Sequence, residues 1–144
     1  MHSVHSTHLL LSSAVGVAVL CTGCGDGRPE RIPVSGTVLI DGAPLAYGSI
    51  MFLNDHARPA GAMIGPDGRF VLSCFARGDG ALPGHHRVKI SAQEALSERS
   101  VRWHAPKRYA DEATSDIEVD ITEPVDDLKI ELTWGGGQPF DERW

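Results

Sequence analysis

The stretch Gly65-Pro66-Asp67-Gly68, set between Ile64 and Arg69-Phe70-Val71-Leu72, constrains the fold more than any other. Pro66 has its φ preset for the first central position of a type I turn, and Asp67 accepts the next. Gly68 takes the left-handed conformation that a Cβ penalises. Such a turn folds two strands back on each other with a bulge at the glycine. The expected arms are 60–64 and 69–73, with Phe70 and Leu72 on one face and Val71 on the other.

The other apolar runs fit strands around this hairpin. Residues 34–40 are β-branched and lie between Pro33 and Asp41-Gly42; residues 48–53 and 87–91 follow, the latter with Val88 and Ile90 inward. The clearest period is the last. Ile117, Val119 and Ile121 alternate with Asp116, Glu118 and Asp120, and Leu128, Ile130 and Leu132 alternate with Lys129 and Glu131. Strict alternation buries one face and wets the other. With 16 glycines, 9 prolines and few aromatic residues, the chain reads as all-β. The seven expected strands suit an immunoglobulin-like antiparallel β-sandwich. Residues 92–115 carry the weakest pattern, with a short helical turn expected around 94–99, and residues 135–144 read as a flexible tail.

The N-terminus reads as an address. Residues 9–20 form an apolar run of signal-peptide length, well short of the ~20 residues that span a bilayer. Thr22-Gly23-Cys24 then places small residues directly before a cysteine. This resembles the lipobox of bacterial lipoproteins, whose cysteine is diacylated and becomes the first residue after cleavage. Here Cys21 stands where that family usually has Leu, and the leading residues carry His2, His5 and His8 but no Lys or Arg. The expected organisation is a signal peptide over 1–23, lipidated Cys24 with a polar tether over 24–33, a β-sandwich over 34–134 and the tail. A plain secretory signal is the competing reading. Two acyl chains anchor stably where one is marginal. With Cys24 acylated and Cys21 removed, Cys74 is left alone and packs as a small apolar residue at a strand end.

A second resemblance rests on Val34-Ser35-Gly36-Thr37-Val38, Asp41-Gly42, Pro44-Leu45, Gly48 and Asp67-Gly68-Arg69-Phe70 with Leu72. Gly78-Asp79-Gly80, Pro83-Gly84-His85 running into Val88, and Tyr109-Ala110-Asp111 with Thr114-Ser115 extend it. The pattern is similar to small lipoproteins of planctomycete-type bacteria that carry a transthyretin-like or carboxypeptidase-regulatory-like domain. That resemblance implies a sandwich with no activity of its own, held at the cell envelope on the extracytoplasmic side as a structural or interaction module. The related hydrolases of purine breakdown carry a Tyr-Arg-Gly-Ser signature that this chain lacks. The expectation is therefore no enzyme and no cofactor, with the membrane as partner through the lipid and an envelope protein or glycan beyond it.

Three residue groups hold candidate chemistry. His85-His86, with His104 and His56, supplies metal-ligand types but no ligand spacing, so no metal is expected. Asp111, Glu112, Asp116, Glu118 and Asp120, joined by Asp126 and Asp127, form an acidic run that mostly points outward along a strand, and the expectation is a solvated face. Arg99, Arg102, Trp103, His104, Lys107, Arg108 and Tyr109 mix cations with aromatic rings. Trp103, Arg108 and Tyr109 are the candidate ligand surface for a carbohydrate or small molecule; read otherwise, the two rings dock onto the sandwich. The net charge of -6 argues against nucleic acid as a partner.

Overall fold

In a computed structural model, which describes residues 27–144, each of the seven expected runs carries a strand. These are β1 (Val34–Ile40), β3 (Ser49–Leu53), β4 (Ala60–Met63), β5 (Arg69–Val71), β6 (Gly84–Ser91), β9 (Glu118–Ile121) and β10 (Val125–Leu132). Four more strands raise the count above seven: β2 (Ala43–Pro44), β7 (Gln93–Ser97), β8 (Ser100–Trp103) and β11 (Phe140–Arg143). The protein is all-β.

Two sheets enclose the main core. In one, β1 is flanked by β10 on one edge and by β5 and β2 on the other. In the second, the order is β4-β3-β6-β9, antiparallel throughout. Alternation places Val34, Val38, Phe70, Leu72, Ile130 and Leu132 inward from the first sheet. Ile50, Phe52, Val88, Ile90 and Ile121 face them from the second. The Phe52 and Phe70 rings meet across the layers at 6.3 Å. Each such apolar side chain contributes about 1.5–3 kcal/mol by leaving water. One pairing departs from the antiparallel expectation: β1 and β10 run parallel, Gly36 through Ile40 matching Leu128 through Leu132. Parallel pairing needs a long crossover, and the whole second sheet supplies it.

The turn at 65–68 forms as expected, but its arms do a different job. Gly68 N donates to Gly65 O and Gly65 N to Arg69 O, both at 2.9 Å, and Gly68 has a φ of +78°. Beyond the turn, β4 pairs with β3 and β5 with β1, so the hairpin links the two layers. Only Gly61 and Ser73 bond again across it, with both N–H···O distances at 3.0 Å. Phe70 has to face Phe52 across the core, and a residue cannot lie opposite a sheet while paired within it. Between the two bonded pairs the layers part at Met63 and Val71, whose side chains are exposed.

Three further expectations are corrected. The helical turn around 94–99 is absent; β7 and β8 form a hairpin there, with Ala95 opposite Val101 and Ser97 opposite Ser100. The segment ends in a 3-10 helix, Lys107–Ala110. The tail is not free, because β11 pairs with β8 and completes a third sheet of order β11-β8-β7. The expected tether is docked at its end: Ile32 is buried and pairs with Ala81, with N–H···O distances of 2.8 and 3.0 Å. The signal peptide and Cys24 lie outside the described residues.

This topology gives the molecule two poles. Residues 31–33, the 54–59 loop and the 73–83 loop meet at one, where β1 and β6 begin. β6 runs to the other, where Ser91 leads directly into β7 and the third sheet. The chain's N-terminal side and the β7-β8-β11 sheet therefore lie at opposite ends.

Candidate functional site

Of the candidate ligand surface, Trp103 and Tyr109 are buried while Arg108 is exposed. Tyr109 is buried in the core; its hydroxyl accepts from Thr133 N at 3.1 Å and receives Arg108 Nη2 at 2.5 Å. Arg108 also lies over the Tyr109 ring at 4.4 Å. Trp103 is buried beneath β11: its indole N–H donates to Glu142 at 3.0 Å, and its ring stacks on Phe140 at 6.5 Å. Lys107 covers both rings and pairs with Glu142. A second ion pair, Arg102 to Asp141, closes the same strand at 2.7 Å. The hydrogen bond from Arg102 holds the Asp141 carboxyl below its usual range, and bonds from Lys107 and then Trp103 do so for Glu142. The rings whose exposed faces would stack on a sugar are thus docked, and β11, within the stretch expected as a flexible tail, covers Trp103.

The histidines are dispersed. His85 is on the surface, with Nδ1 at 2.8 Å from Asp120 and Nε2 at 3.6 Å from Glu118. The Asp120 hydrogen bond raises its pKa above the ordinary imidazole value. His86, its neighbour, points to the opposite face, as strand geometry demands. It is fully buried against Phe52, with Nε2 at 2.8 Å from Leu82 O, so Nε2 carries the proton. His104 bonds Glu94 at 2.7 Å beside Tyr47, and His56 lies in the exposed 54–59 loop. Among the described residues no group of three His, Cys, Asp or Glu side chains is placed to hold a metal ion.

The acidic run likewise engages separate partners. Glu112 meets Lys89 at 3.6 Å, Asp120 meets His85, and Asp127 meets Lys129 at 2.8 Å. Asp111 accepts from Ala113 N at 2.9 Å. Asp116 adopts a φ of +55° ahead of β9. At the structural turn, Asp67 Oδ1 accepts from Arg69 N at 3.1 Å, which holds the loop that Gly68 completes.

One constellation has no counterpart in the sequence reading. Arg28, Arg31 and Arg58 place their guanidinium carbons 5.4, 5.7 and 5.2 Å from the centre of one ring, Phe75. Arg58 Nε donates to Cys74 O at 2.8 Å and Arg31 Nε lies 3.3 Å from Asp79. Asp79 Oδ1 accepts from Cys74 N at 2.7 Å and Oδ2 from Ala76 N at 3.0 Å and Phe75 N at 3.2 Å. Burial tends to raise the Asp79 pKa, but these N–H groups and Arg31 outweigh it and hold the carboxyl below its usual range. Cys74 is buried at the foot of this loop; burial first, and then Asp79, pushes its thiol pKa up. Sequence proximity gave little sign of the cluster, because Arg28 and Arg31 share one segment while Arg58 and Phe75 come from two others; the only local signal was Gly78-Asp79-Gly80.

Comparison of the chain with protein-family models, with curated proteins and with solved structures returns no match. The site geometry therefore has to carry the functional argument.

Proposed function

We propose that this chain is a lipid-anchored, non-catalytic module of the cell envelope, with a transthyretin-like sandwich of immunoglobulin type presented to a protein partner. The observation that carries this reading is the opposition of the two poles. The chain arrives at Ile32 beside the 73–83 loop, while the β7-β8-β11 sheet sits at the far end of β6. A domain tethered at the first pole presents the second to whatever faces the membrane. Exposed Tyr47, Leu96, Phe140 and Trp144 belong to that second pole or to the strands forming it. The two sheets that enclose the core, of four strands each, support the sandwich type. The docking of Trp103 and Tyr109 disfavours a sugar platform in the 99–109 loop.

The test starts with mass spectrometry of the membrane-fraction protein. A first peptide beginning at acylated Cys24, abolished by Cys24→Ser and kept by Cys21→Ser, is expected; an unmodified N-terminus downstream of Cys24 would sink the anchor. Crosslinking from residues 96 and 144 in intact envelopes should then capture a partner protein. Crosslinking solely through residues near 28–33 would place the contact at the wrong pole.

A further inference from the structure

We propose that the edge of β8 is a docking groove for an extended segment of a partner protein, an aromatic residue followed by two carboxylates, and that β11 holds this groove shut as an internal copy of such a segment. The inference rests on the reading above that the second pole meets a protein partner.

What β11 touches defines what the groove accepts. Phe140–Arg143 pairs antiparallel with Ser100–Trp103, so Phe140 and Glu142 fall on one face of the strand and Asp141 on the other. Phe140 stacks on the Trp103 ring at 6.5 Å with 20° between the planes. Asp141 takes two bonds from the Arg102 guanidinium, at 2.7 and 3.1 Å. Glu142 accepts the Trp103 indole N–H at 3.0 Å and pairs with Lys107, whose ammonium also lies over both rings. Glu94, across from Arg102 on β7, is bonded to His104 at 2.7 Å. Three consecutive residues are each met by a separate group: ring on ring, carboxylate on guanidinium, carboxylate on indole N–H and ammonium. The two-bonded arginine pair adds geometric specificity. Backbone pairing with pockets for alternate side chains is how a sheet edge recognises a peptide.

The hold on β11 is slight. Among the described strands it pairs with β8 alone, and Phe140 and Trp144 are exposed. The side chains of its two ion pairs are 37–46% exposed, where such pairs contribute little. Residues 133–139 join it to β10 through Gly135-Gly136-Gly137, and a Cβ added at Gly135 or Gly136 would meet nothing within 4 Å. On such a linker the strand can leave without disturbing the core. The edge it vacates, unpaired beside a bare Trp103 ring, is a template for another strand. A long glycine linker stores no strain that exchange between two copies would relieve, so a second copy gains nothing by supplying that strand. A partner already resting on this pole brings its segment in at high effective concentration and can displace β11.

The test titrates a fluorescent synthetic peptide of residues 138–144 with the full chain and with its double variant Asp141→Lys, Glu142→Lys. The variant's own strand is repelled by Arg102 and Lys107, while the groove is unchanged. It should bind the peptide about tenfold tighter than the parent or more, because the competing internal strand is released. Adding Arg102→Glu should remove the binding, and a peptide with Lys in place of Asp141 should restore it. Amide exchange checks the state of the variant: fast at 100–103, with protection kept in β3 and β6. Should that protection be lost, Phe140→Ala, which loosens the strand without changing charge, replaces the double variant under the same criterion. No gain in binding by a variant with β11 released overturns this inference and leaves the second pole as the partner's face. Peptide binding with envelope crosslinks confined to residues near 28–33 overturns that reading, and the partner with it. A dimer of the parent chain in light scattering, lost in the double variant, overturns the partner in favour of a second copy.

Discussion

Replacing Gly68 by alanine isolates how much of this fold depends on one backbone position. The residue has a φ of +78°, where a side chain costs about 1–2 kcal/mol. A Cβ there would also sit 2.7 Å from Val38 O and 3.0 Å from Pro44 Cβ, so backbone must move. Val38 O accepts Leu45 N at 2.9 Å, and Val38 N donates to Gly68 O at 2.8 Å. Loosening those two bonds adds about 0.5–1.5 kcal/mol each. The sum is roughly 2–5 kcal/mol, a large part of the ~5–15 kcal/mol that holds a domain folded. Gly42 is the internal control: its φ is +83°, but nothing lies within 4 Å of its added Cβ, so Gly42→Ala bears the conformational cost alone. Urea unfolding followed by tryptophan fluorescence should place Gly68→Ala at least ~1 kcal/mol below Gly42→Ala, with a melting temperature roughly 4 °C or more lower. Gly68→Val should fall further. Equal midpoints for the two alanine variants would refute the claim that this turn is pressed between β1 and β2.

Other consequences follow from the site geometry. Asp79→Asn should cost about 1.5–3 kcal/mol, since it removes a charged acceptor of several N–H groups. Because the folded pKa of Asp79 is depressed, its contribution is present above the unfolded value of ~3.9 and lost as pH falls through the folded one. The Asn variant should therefore lose less stability than the parent on acidification below about pH 4, and parallel acid limbs would contradict the assignment. His85 has a raised pKa, so its pairing favours the fold below the unfolded value near 6.5 and the benefit fades as pH rises through the folded value. NMR titration should show Asp120→Asn returning the His85 midpoint toward ~6.5; an unmoved midpoint would remove Asp120 as the cause. Cys74 should resist a thiol reagent in the native protein and react on unfolding, and rapid native labelling would show the 73–80 loop to be open.

Local chemistry made much of the fold legible. The Pro66-Asp67-Gly68 turn and the alternation in 117–121 and 128–132 depend on neighbours in the chain, so period and turn type report them directly. The same holds for Phe70 and Leu72 on one face and for Val88 and Ile90 inward, all buried as the pattern requires. The strands that sequence missed are short or poorly patterned. β11 is exposed over most of its length and is held by partners about 40 residues away: Arg102, Trp103 and Lys107. No local period marks such a strand, because its stability comes from the edge of β8.

Pairing itself was decided by the tertiary structure. A tight turn implies two adjacent strands, yet the core needed Phe70 opposite Phe52, and the arms of that turn went to different layers. The parallel match of β1 with β10 joins residues some 90 positions apart, which no window of sequence contains. The sites divide in the same way. Candidate residues chosen for their type, Trp103, Tyr109 and His86, were apolar enough to be drawn inside. The arginines that gathered on Phe75 came from two distant stretches, 28–31 and the 54–59 loop, and carried no shared motif. Sequence determined which segments could be strands and which faces they would bury, since both follow from nearest neighbours. Which strand met which, and which charges were thereby brought together, followed from closing one core around all of them.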